Sequence, residues 1–226
     1  MLLLFDIDGT LLLEATAAHA AAVHEALREV YGVADPAAVK VEAAGRTDTE
    51  IARNICLLLG VSARRFDEGR DDFRVACVAA YARLCPEDLS ACVAPGVTEV
   101  LEALAARDGA RLAILTGNLE PIARLKLARA GIGAFFEPGQ GGFGSDHEDR
   151  TELPAIARER AGGYPRARTV IIGDTPRDIA CGHALGARTI AVATGRWSRD
   201  ELAKHQPDFL IDDLSKVETI IETLGW

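Results

Sequence analysis

Two acidic residues near the start of the chain have a type and a spacing that suit chemistry. Asp6 and Asp8 follow an apolar run, Leu2 to Phe5, that is typical of a fully buried strand. Residues two apart on an extended chain point the same way, so both carboxylates can reach one reacting atom. Gly9 lets the backbone turn tightly beside them. Because burying unpaired carboxylates is very costly, we expect the pair to meet either solvent or a cation.

Three apolar runs of the sequence end in polar residues that suit one shared site. In an open parallel sheet, ligands bind beyond the carboxyl ends of the strands, so polar groups that follow different strands converge there. Carboxylate oxygens are hard ligands that suit Mg²⁺. The sequence therefore predicts a magnesium site at this edge of the sheet. The polar groups are Asp6 and Asp8 after the first run, Thr116, Gly117 and Asn118 after the second, and Asp174 and Asp178 after the third.

The four acids are not equally suited to hold the metal. Asp6 and Asp174 are the expected side-chain ligands, and the backbone carbonyl of Asp8 is the expected third. Asp178 lies in the first turn of a predicted helix that Pro176 opens. There it either coordinates the metal or stabilises the helix start, a contribution of about 0.3 to 1 kcal/mol. The sequence leaves both roles open.

The elements that position these residues alternate between strand and helix after about residue 91. Such alternation is typical of a parallel sheet with crossover helices. Together with the first strand it predicts an α/β fold, with a Rossmann-like parallel sheet core formed by residues 1–13 and 91–226. The strands predicted after the first are 111–115, a short one within 135–143, 169–174, 189–193 and 209–211.

Residues 14–90 carry helical patterns throughout and are predicted to form an inserted all-helical cap domain. Within it, Thr47 and Glu50 match a capping box that starts a helix. Arg46 lies just ahead of that helix, which is either an anion-binding arrangement or an ordinary loop arginine. His19 and His24 are five residues apart rather than four, and we expect surface or packing histidines there instead of metal ligands.

The composition of the chain indicates its class of partner and its compartment. The chain of 226 residues has a formal net charge of -9 and no block of lysine and arginine, which makes nucleic acid a poor partner and favours a small-molecule substrate. Its five cysteines are scattered without a C-x-x-C pair, as in a reducing cytoplasm. No secretory signal is visible, and no apolar run approaches the roughly 20 residues of a membrane helix. We expect a cytoplasmic protein without membrane partners; the oligomeric state is not predicted.

Three segments resemble the motifs of one family. Residues 6–10, D-x-D-G-T after an apolar strand, resemble the first motif of the haloacid dehalogenase superfamily of phosphohydrolases. Residues 112–118 resemble its second motif, and residues 170–178, with G-D-x-x-x-D, its fourth. The helical insertion lies where many members carry a helical cap. Phosphoglycolate phosphatases are the capped members that the chain looks most like.

The resemblance implies a role for each matching residue. Asp6 is the implied nucleophile, Asp8 the general acid/base, and Thr116 a ligand of the phosphoryl oxygens. The fourth motif implies that Asp174 and Asp178 hold magnesium. The remaining motif residues implied in substrate binding are Gly9, Thr10, Gly117 and Asn118, and Arg46 in the cap is a further candidate, facing a carboxylate or second phosphate of the substrate.

The family's third motif departs from its usual form. It normally presents a lysine, often as Lys-Pro, before a helix, and this sequence has no Lys-Pro. Arg150 stands in the corresponding place and is the expected cation. Lys126 is the rival, but it falls inside an earlier predicted helix, where we expect a solvated surface lysine.

These features together predict a magnesium-dependent phosphatase that hydrolyses a small, phosphoglycolate-like phosphate monoester through an aspartyl phosphate. Two alternatives stay open. A phosphosugar mutase uses the same acids but returns the phosphoryl group to the sugar. A non-catalytic phosphate-binding or receiver-like module also has an acidic pocket on a parallel sheet.

Overall fold

A six-stranded parallel sheet lies at the centre of the computed structural model, which describes residues 1–225. The strands lie side by side in the order β3-β2-β1-β4-β5-β6, and every pair is parallel. The predicted α/β class with a parallel sheet is confirmed. The strands are β1 (Leu2–Phe5), β2 (Arg111–Thr116), β3 (Gly142–Phe143), β4 (Thr169–Gly173), β5 (Arg188–Val192) and β6 (Phe209–Ile211).

The first strand occupies the middle of the sheet. Leu4 of β1 is in register with Ala113 of β2 on one side and with Ile171 of β4 on the other. All four residues of β1 are buried, because helices cover both faces of the sheet. The carboxyl ends of β1, β2 and β4 therefore lie next to one another at one edge, where the predicted site residues follow.

Nine helices surround the sheet in residues 1–225. Three of them, α1 (Ala17–Tyr31), α2 (Asp48–Leu58) and α3 (Ala63–Leu84), lie within residues 14–90, where the sequence predicted helices. None of the helices described is long and apolar enough to cross a bilayer. That residues 14–90 form a separate cap domain stays a prediction. The others are α4 (Val97–Ala105), α5 (Glu120–Arg129), α6 (Leu153–Arg160), α7 (Pro176–Leu185), α8 (Arg199–Ala203) and α9 (Val217–Leu224).

Aromatic residues hold the three inserted helices together. The ring of Tyr31 at the end of α1 stacks on Phe66 of α3 with 5.2 Å between centroids. The Tyr31 hydroxyl donates to the carbonyl of Phe66 at 3.0 Å, so the polar end of a buried ring is satisfied. Phe66 in turn packs against Phe73. This packing fixes α1, which lines the cavity described below, against α3.

The start of α2 differs in one detail from the predicted capping box. The Thr47 hydroxyl accepts from the Glu50 amide at 3.1 Å, as the pattern predicts. The Glu50 carboxylate does not return to the Thr47 amide but pairs with the guanidinium of Arg46. An arginine four residues before a glutamate competes for it, because side chains at this spacing lie on one face.

Candidate active site

Three buried carboxylates meet beyond the ends of β1 and β4. Asp6 follows β1, Asp174 follows β4, and Asp178 lies in the first turn of α7. Each offers an oxygen, and these oxygens lie within 4.8 Å of one another. All three residues are at most 4% exposed. Acids this close repel one another, so the cluster needs positive charge to stay ionised.

Two glycines let the loops close around Asp174. The Thr10 hydroxyl donates to Asp174 Oδ1 at 3.0 Å. A Cβ at Gly9, where φ is +89°, would overlap Asp174 Oδ2, and so would one at Gly195. The backbone therefore approaches this carboxylate more closely than any other residue type would allow. Gly9 and Thr10 thus shape the acid cluster directly.

The electrostatics of Asp6 and Asp174 show a deficit of positive charge. Burial raises the pKa of Asp6 to about 7. The charge of Arg150 works in the opposite direction and lowers this pKa, whereas the charges of Asp178 and Asp8 raise it further. Burial, with the charges of Asp6 and Asp178, raises the pKa of Asp174 to about 8. A hard divalent cation would restore both to the ionised state. The donor set of the three carboxylates therefore fits a hard divalent cation.

Asp178 already has partners for both of its oxygens. Its Oδ2 accepts from the amide and hydroxyl of Thr175, at 3.0 and 2.7 Å, which completes a capping box at the start of α7. Its Oδ1 accepts from Arg150 Nη2 at 2.6 Å. With two hydrogen bonds to Oδ2 and one to Oδ1, only Oδ1 has a lone pair left for a metal. Of the two roles left open by the sequence, this geometry favours the helix start.

Arg150 reaches the acid cluster from the turn that precedes α6. Its Nη2 lies 3.1 Å from Asp6 Oδ1 as well as against Asp178, and the residue is 5% exposed. Burial alone would lower the pKa of this guanidinium, but the charges of Asp178 and Asp6 outweigh it and raise the pKa. The structure thus brings Arg150 to the nucleophile candidate, in the place where the cation was expected.

Lys126 is not a surface lysine, and that expectation was wrong. Its side chain is 0% exposed, and its Nζ lies 2.8 and 2.6 Å from the two oxygens of Asp8. The physical reason is the face of α5 on which it lies. Ile122 and Ala123, four and three residues earlier, are also buried, so the helical period turns Lys126 toward the site. That spacing was visible in the sequence and was the signal that we missed.

A chain of buried polar groups continues from Lys126 into the inserted helices. Lys126 Nζ lies 3.1 Å from His19 Nδ1, and His19 Nε2 lies 3.0 Å from Asp48 Oδ2. The same Asp48 oxygen accepts from the Leu119 amide at 2.8 Å. His19 also packs its ring against Tyr81, so it is a packing histidine as predicted, but its two nitrogens have a polar role that was missed. His24 is not part of this series of polar contacts; it lines the cavity that is described below.

These contacts hold Asp8 in its ionised form. Burial alone would raise the pKa of Asp8, but the charge of Lys126, with smaller effects from His19 and a hydrogen bond from Asn118, holds it below its usual value. Asn118 Nδ2 donates to Asp8 Oδ2 at 3.0 Å. Asp6 and Asp8 are therefore pushed to opposite sides of the ordinary aspartate pKa, a separation typical of carboxylates with different tasks.

The end of β2 brings Thr116, Gly117 and Asn118 beside Asp8. The backbone N–H of Asn118 donates to Thr116 Oγ1 at 3.3 Å. A Cβ at Gly117 would overlap the carbonyl oxygen of Arg46, so glycine is what allows the inserted segment to approach β2. The Asp48 amide donates to the Gly117 carbonyl at 2.9 Å across this contact.

Arg46 lines the same cavity but its charge is already engaged. Besides the ion pair with Glu50, its Nε donates to the Glu42 carbonyl at 2.9 Å. Burial, and then the nearby charge of Arg177, lower its pKa. A role of Arg46 in binding a second anionic group stays a prediction, and it would require the Glu50 pair to open.

One cavity of about 830 Å³ brings most of the predicted residues together. The acids lie at one end of it and the inserted helices form the other. The predicted site residues that line it are Asp6, Asp8, Gly9, Arg46, Thr116, Asn118, Arg150 and Asp174.

Comparison with protein families gives a match over most of the chain. Residues 3–183 match the model of haloacid dehalogenase-like hydrolases. Residues 150–217 also match a second family model of hydrolases of this type. The first match includes all three motifs on which the resemblance rests.

Named relatives are phosphatases. The chain is 27% identical over 216 residues to phosphoglycolate phosphatase of Rhodospirillum rubrum, covering 95% of this chain and 88% of that protein. It is 31% identical over 126 residues to the "Probable phosphatase IndB" of Dickeya dadantii, covering 55% of this chain and 54% of that protein. The second match thus spans about half the length of the relative.

Among solved structures, β-phosphoglucomutase from Clostridium difficile superposes with a TM-score of 0.70 over 99% of this chain and 96% of that one. The two sequences are 14% identical. This likeness concerns the fold.

Proposed function

Because the chain belongs to the haloacid dehalogenase-like hydrolases, we propose that it hydrolyses a phosphate monoester of a small metabolite with the help of Mg²⁺. The observation that carries this proposal is the pairing of each carboxylate in the first motif with its own buried cation. Arg150 contacts Asp6, and Lys126 contacts Asp8. Both acids face one cavity with Asp174. The phosphatase relatives support the same reaction class.

In the first step, Asp6 attacks phosphorus while the bond from phosphorus to the leaving alcohol breaks. A carboxylate and a phosphate repel each other by about 4 kcal/mol per unit-charge pair at 4 Å and an effective dielectric constant of 20. Arg150 offsets part of this repulsion beside Asp6. Mg²⁺, held by Asp6, Asp174 and the backbone carbonyl of Asp8, would supply further positive charge next to the phosphoryl oxygens.

Asp8 handles the protons in both steps. A phosphate that enters the cavity is a like charge, which disfavours the ionised carboxylate and so favours a protonated Asp8. Asp8 donates that proton to the leaving alcohol. It then takes a proton from water, which attacks phosphorus and releases Asp6 and phosphate. Lys126 stabilises the ionised form that this second step needs, and general acid/base help of this kind contributes about 10²- to 10⁴-fold in rate.

The end of β2 is proposed to hold the phosphoryl group. Thr116 and Asn118 line the cavity beside Asp8, and the Thr116 hydroxyl can donate a hydrogen bond to a phosphoryl oxygen. Gly117 lets the inserted segment approach this strand end. Gly9 and Thr10 act on the opposite side by shaping the Asp174 carboxylate.

The relatives point to phosphoglycolate as the first ester to test. A phosphosugar mutase remains the alternative within the family, since it would use the same two acids. A binding module without turnover is less consistent with two separately charge-paired carboxylates. We further propose a cytoplasmic location, which is supported by the absence of disulfides among the five cysteines.

Phosphate release from a panel of small phosphate monoesters tests the proposal. We expect release with Mg²⁺, loss of release when EDTA removes the metal, and no release by Asp6→Asn at unchanged thermal stability. Release by Asp6→Asn would overturn the assignment of the nucleophile. A sugar bisphosphate that accumulates instead of free phosphate would indicate a mutase, and bound but intact esters would indicate a binding module.

A further inference from the structure

The cavity that holds the acids extends far beyond the space that a phosphoryl group needs. Its volume of about 830 Å³ falls within the range of roughly 300 to 1,000 Å³ in which proteins hold drug-sized ligands. A two-carbon acid bound through its phosphate at Asp6 would leave most of this volume to water. The size of the cavity therefore points to a larger leaving group.

Aliphatic side chains of the inserted segment form part of the wall of this cavity. Val23 comes from α1, Val39 and Val41 from the loop after it, and Ile51 and Ile55 from one face of α2. Val39, Val41 and Ile51 are only partly buried, so part of their apolar surface is open to a ligand in the cavity. A ligand that covers this apolar surface removes it from water, which is favourable by about 25 cal/mol per Å².

Two of the arginines near this wall already face acidic partners. Arg46 is paired with Glu50, and Arg196 lies 3.5 Å from Glu42. Lys40 at the rim is exposed and hydrated. Burial, and then the charge of Arg28, lower the pKa of His24, so its imidazole is neutral at pH 7.

We propose that the substrate is the phosphate ester of an alcohol with an uncharged, largely apolar carbon body that is longer than two carbons. Its phosphate lies between Asp6 and Asp8, and its carbon body contacts Val39, Val41 and Ile51. This inference rests on the proposed phosphatase function and names the substrate class of the same site. It differs from phosphoglycolate, whose leaving group carries a carboxylate.

A series of straight-chain alkyl phosphates from ethyl to hexyl, with phosphoglycolate beside it, tests the substrate class in the presence of Mg²⁺. The alkyl leaving groups have nearly equal reactivity, so differences in kcat/KM report contacts with the carbon body. We expect kcat/KM to rise by roughly threefold to fourfold for each added methylene, as burial of that group predicts. Hexyl phosphate should also exceed phosphoglycolate.

A variant of the apolar wall tests whether the dependence of kcat/KM on alkyl chain length arises from contacts with this wall. Val41→Thr keeps the shape of the side chain and replaces a methyl group by a hydroxyl group. It should lower kcat/KM for hexyl phosphate several-fold more than for ethyl phosphate. Val75→Thr on the exposed face of α3, where Val75 is 71% exposed, is the matched control and should leave the whole series unchanged.

Two results would overturn the inference in distinguishable ways. A flat alkyl series with phosphoglycolate hydrolysed faster than every alkyl ester would refute the apolar substrate class and leave the phosphatase function intact. Failure to hydrolyse any ester, including the activated p-nitrophenyl phosphate, would refute the proposed function and the inference with it.

Discussion

Each of the two acids in the first motif has its own buried cation. Arg150 is 3.1 Å from Asp6, and Lys126 is 2.6 Å from Asp8. A carboxylate that attacks phosphorus and one that exchanges protons need different pKa values, and the different surroundings provide them. Lys126 is a positioning residue for Asp8, since its ammonium group contacts both oxygens of that carboxylate.

Replacement of Lys126 tests this role. In Lys126→Met a side chain of similar length and no charge leaves Asp8 and His19 without their shared partner. We expect kcat to fall by about 10²-fold or more, because Asp8 loses the contact that orients and ionises it. KM should change much less, since Lys126 does not line the substrate cavity. Steady-state kinetics with p-nitrophenyl phosphate measure both values.

The controls for this variant separate chemistry from folding. Lys126→Arg keeps the charge and should recover part of kcat, while Lys204→Met removes an exposed lysine and should leave kcat unchanged. A wild-type kcat in a folded Lys126→Met protein would show that the lysine is merely structural.

At the scale of elements, the start of α2 is joined to the end of β2 through a very close approach. The Asp48 amide donates to the Gly117 carbonyl at 2.9 Å, and the Thr47 hydroxyl donates to the Glu148 carbonyl at 2.7 Å. The Asp48 carboxylate also accepts a hydrogen bond from the backbone amide of Leu119, just before α5. The inserted helices thus reach Asp8 through backbone contacts as well as through His19 and Lys126.

Gly117→Ala tests whether this approach matters for turnover. The added Cβ would overlap the Arg46 carbonyl oxygen, so α2 must move away from β2. We expect kcat/KM to fall by about tenfold or more, which corresponds to about 1.4 kcal/mol of lost transition-state stabilisation. Gly133→Ala is the control, because its Cβ would meet Ala128 at 3.3 Å, a tight contact away from the site instead of an overlap. Full activity in Gly117→Ala would mean that the close approach is dispensable.

At the scale of the whole molecule, the order of the apolar runs was enough to predict the α/β sheet. Three of the apolar runs end in polar residues, and strand ends of a parallel sheet share one edge, so the meeting of Asp6, Thr116 and Asp174 followed from topology alone. The motif resemblance then gave the family, which the family comparison confirms.

Contacts between elements that are distant in the chain were not predictable in the same way. Lys126 and His19 are 107 residues apart, and each was judged within its own helix. The helical face of Lys126 would have shown that it is buried, but nothing in α5 shows that Asp8 is its partner. For the same reason, the contact of Arg150 with Asp178 appears only in the folded chain, whereas the local capping box of Thr175 and Asp178 could have been read from the sequence.

Trapping of the covalent intermediate tests the central claim most directly. The protein is mixed with Mg²⁺ and a hydrolysed ester, quenched during turnover and treated with borohydride, which reduces an aspartyl phosphate to homoserine. Tandem mass spectrometry of the N-terminal peptide then reads the site. We predict homoserine at position 6, present only when ester and metal are both supplied. An unmodified Asp6 together with a modified residue elsewhere in the chain would contradict the account.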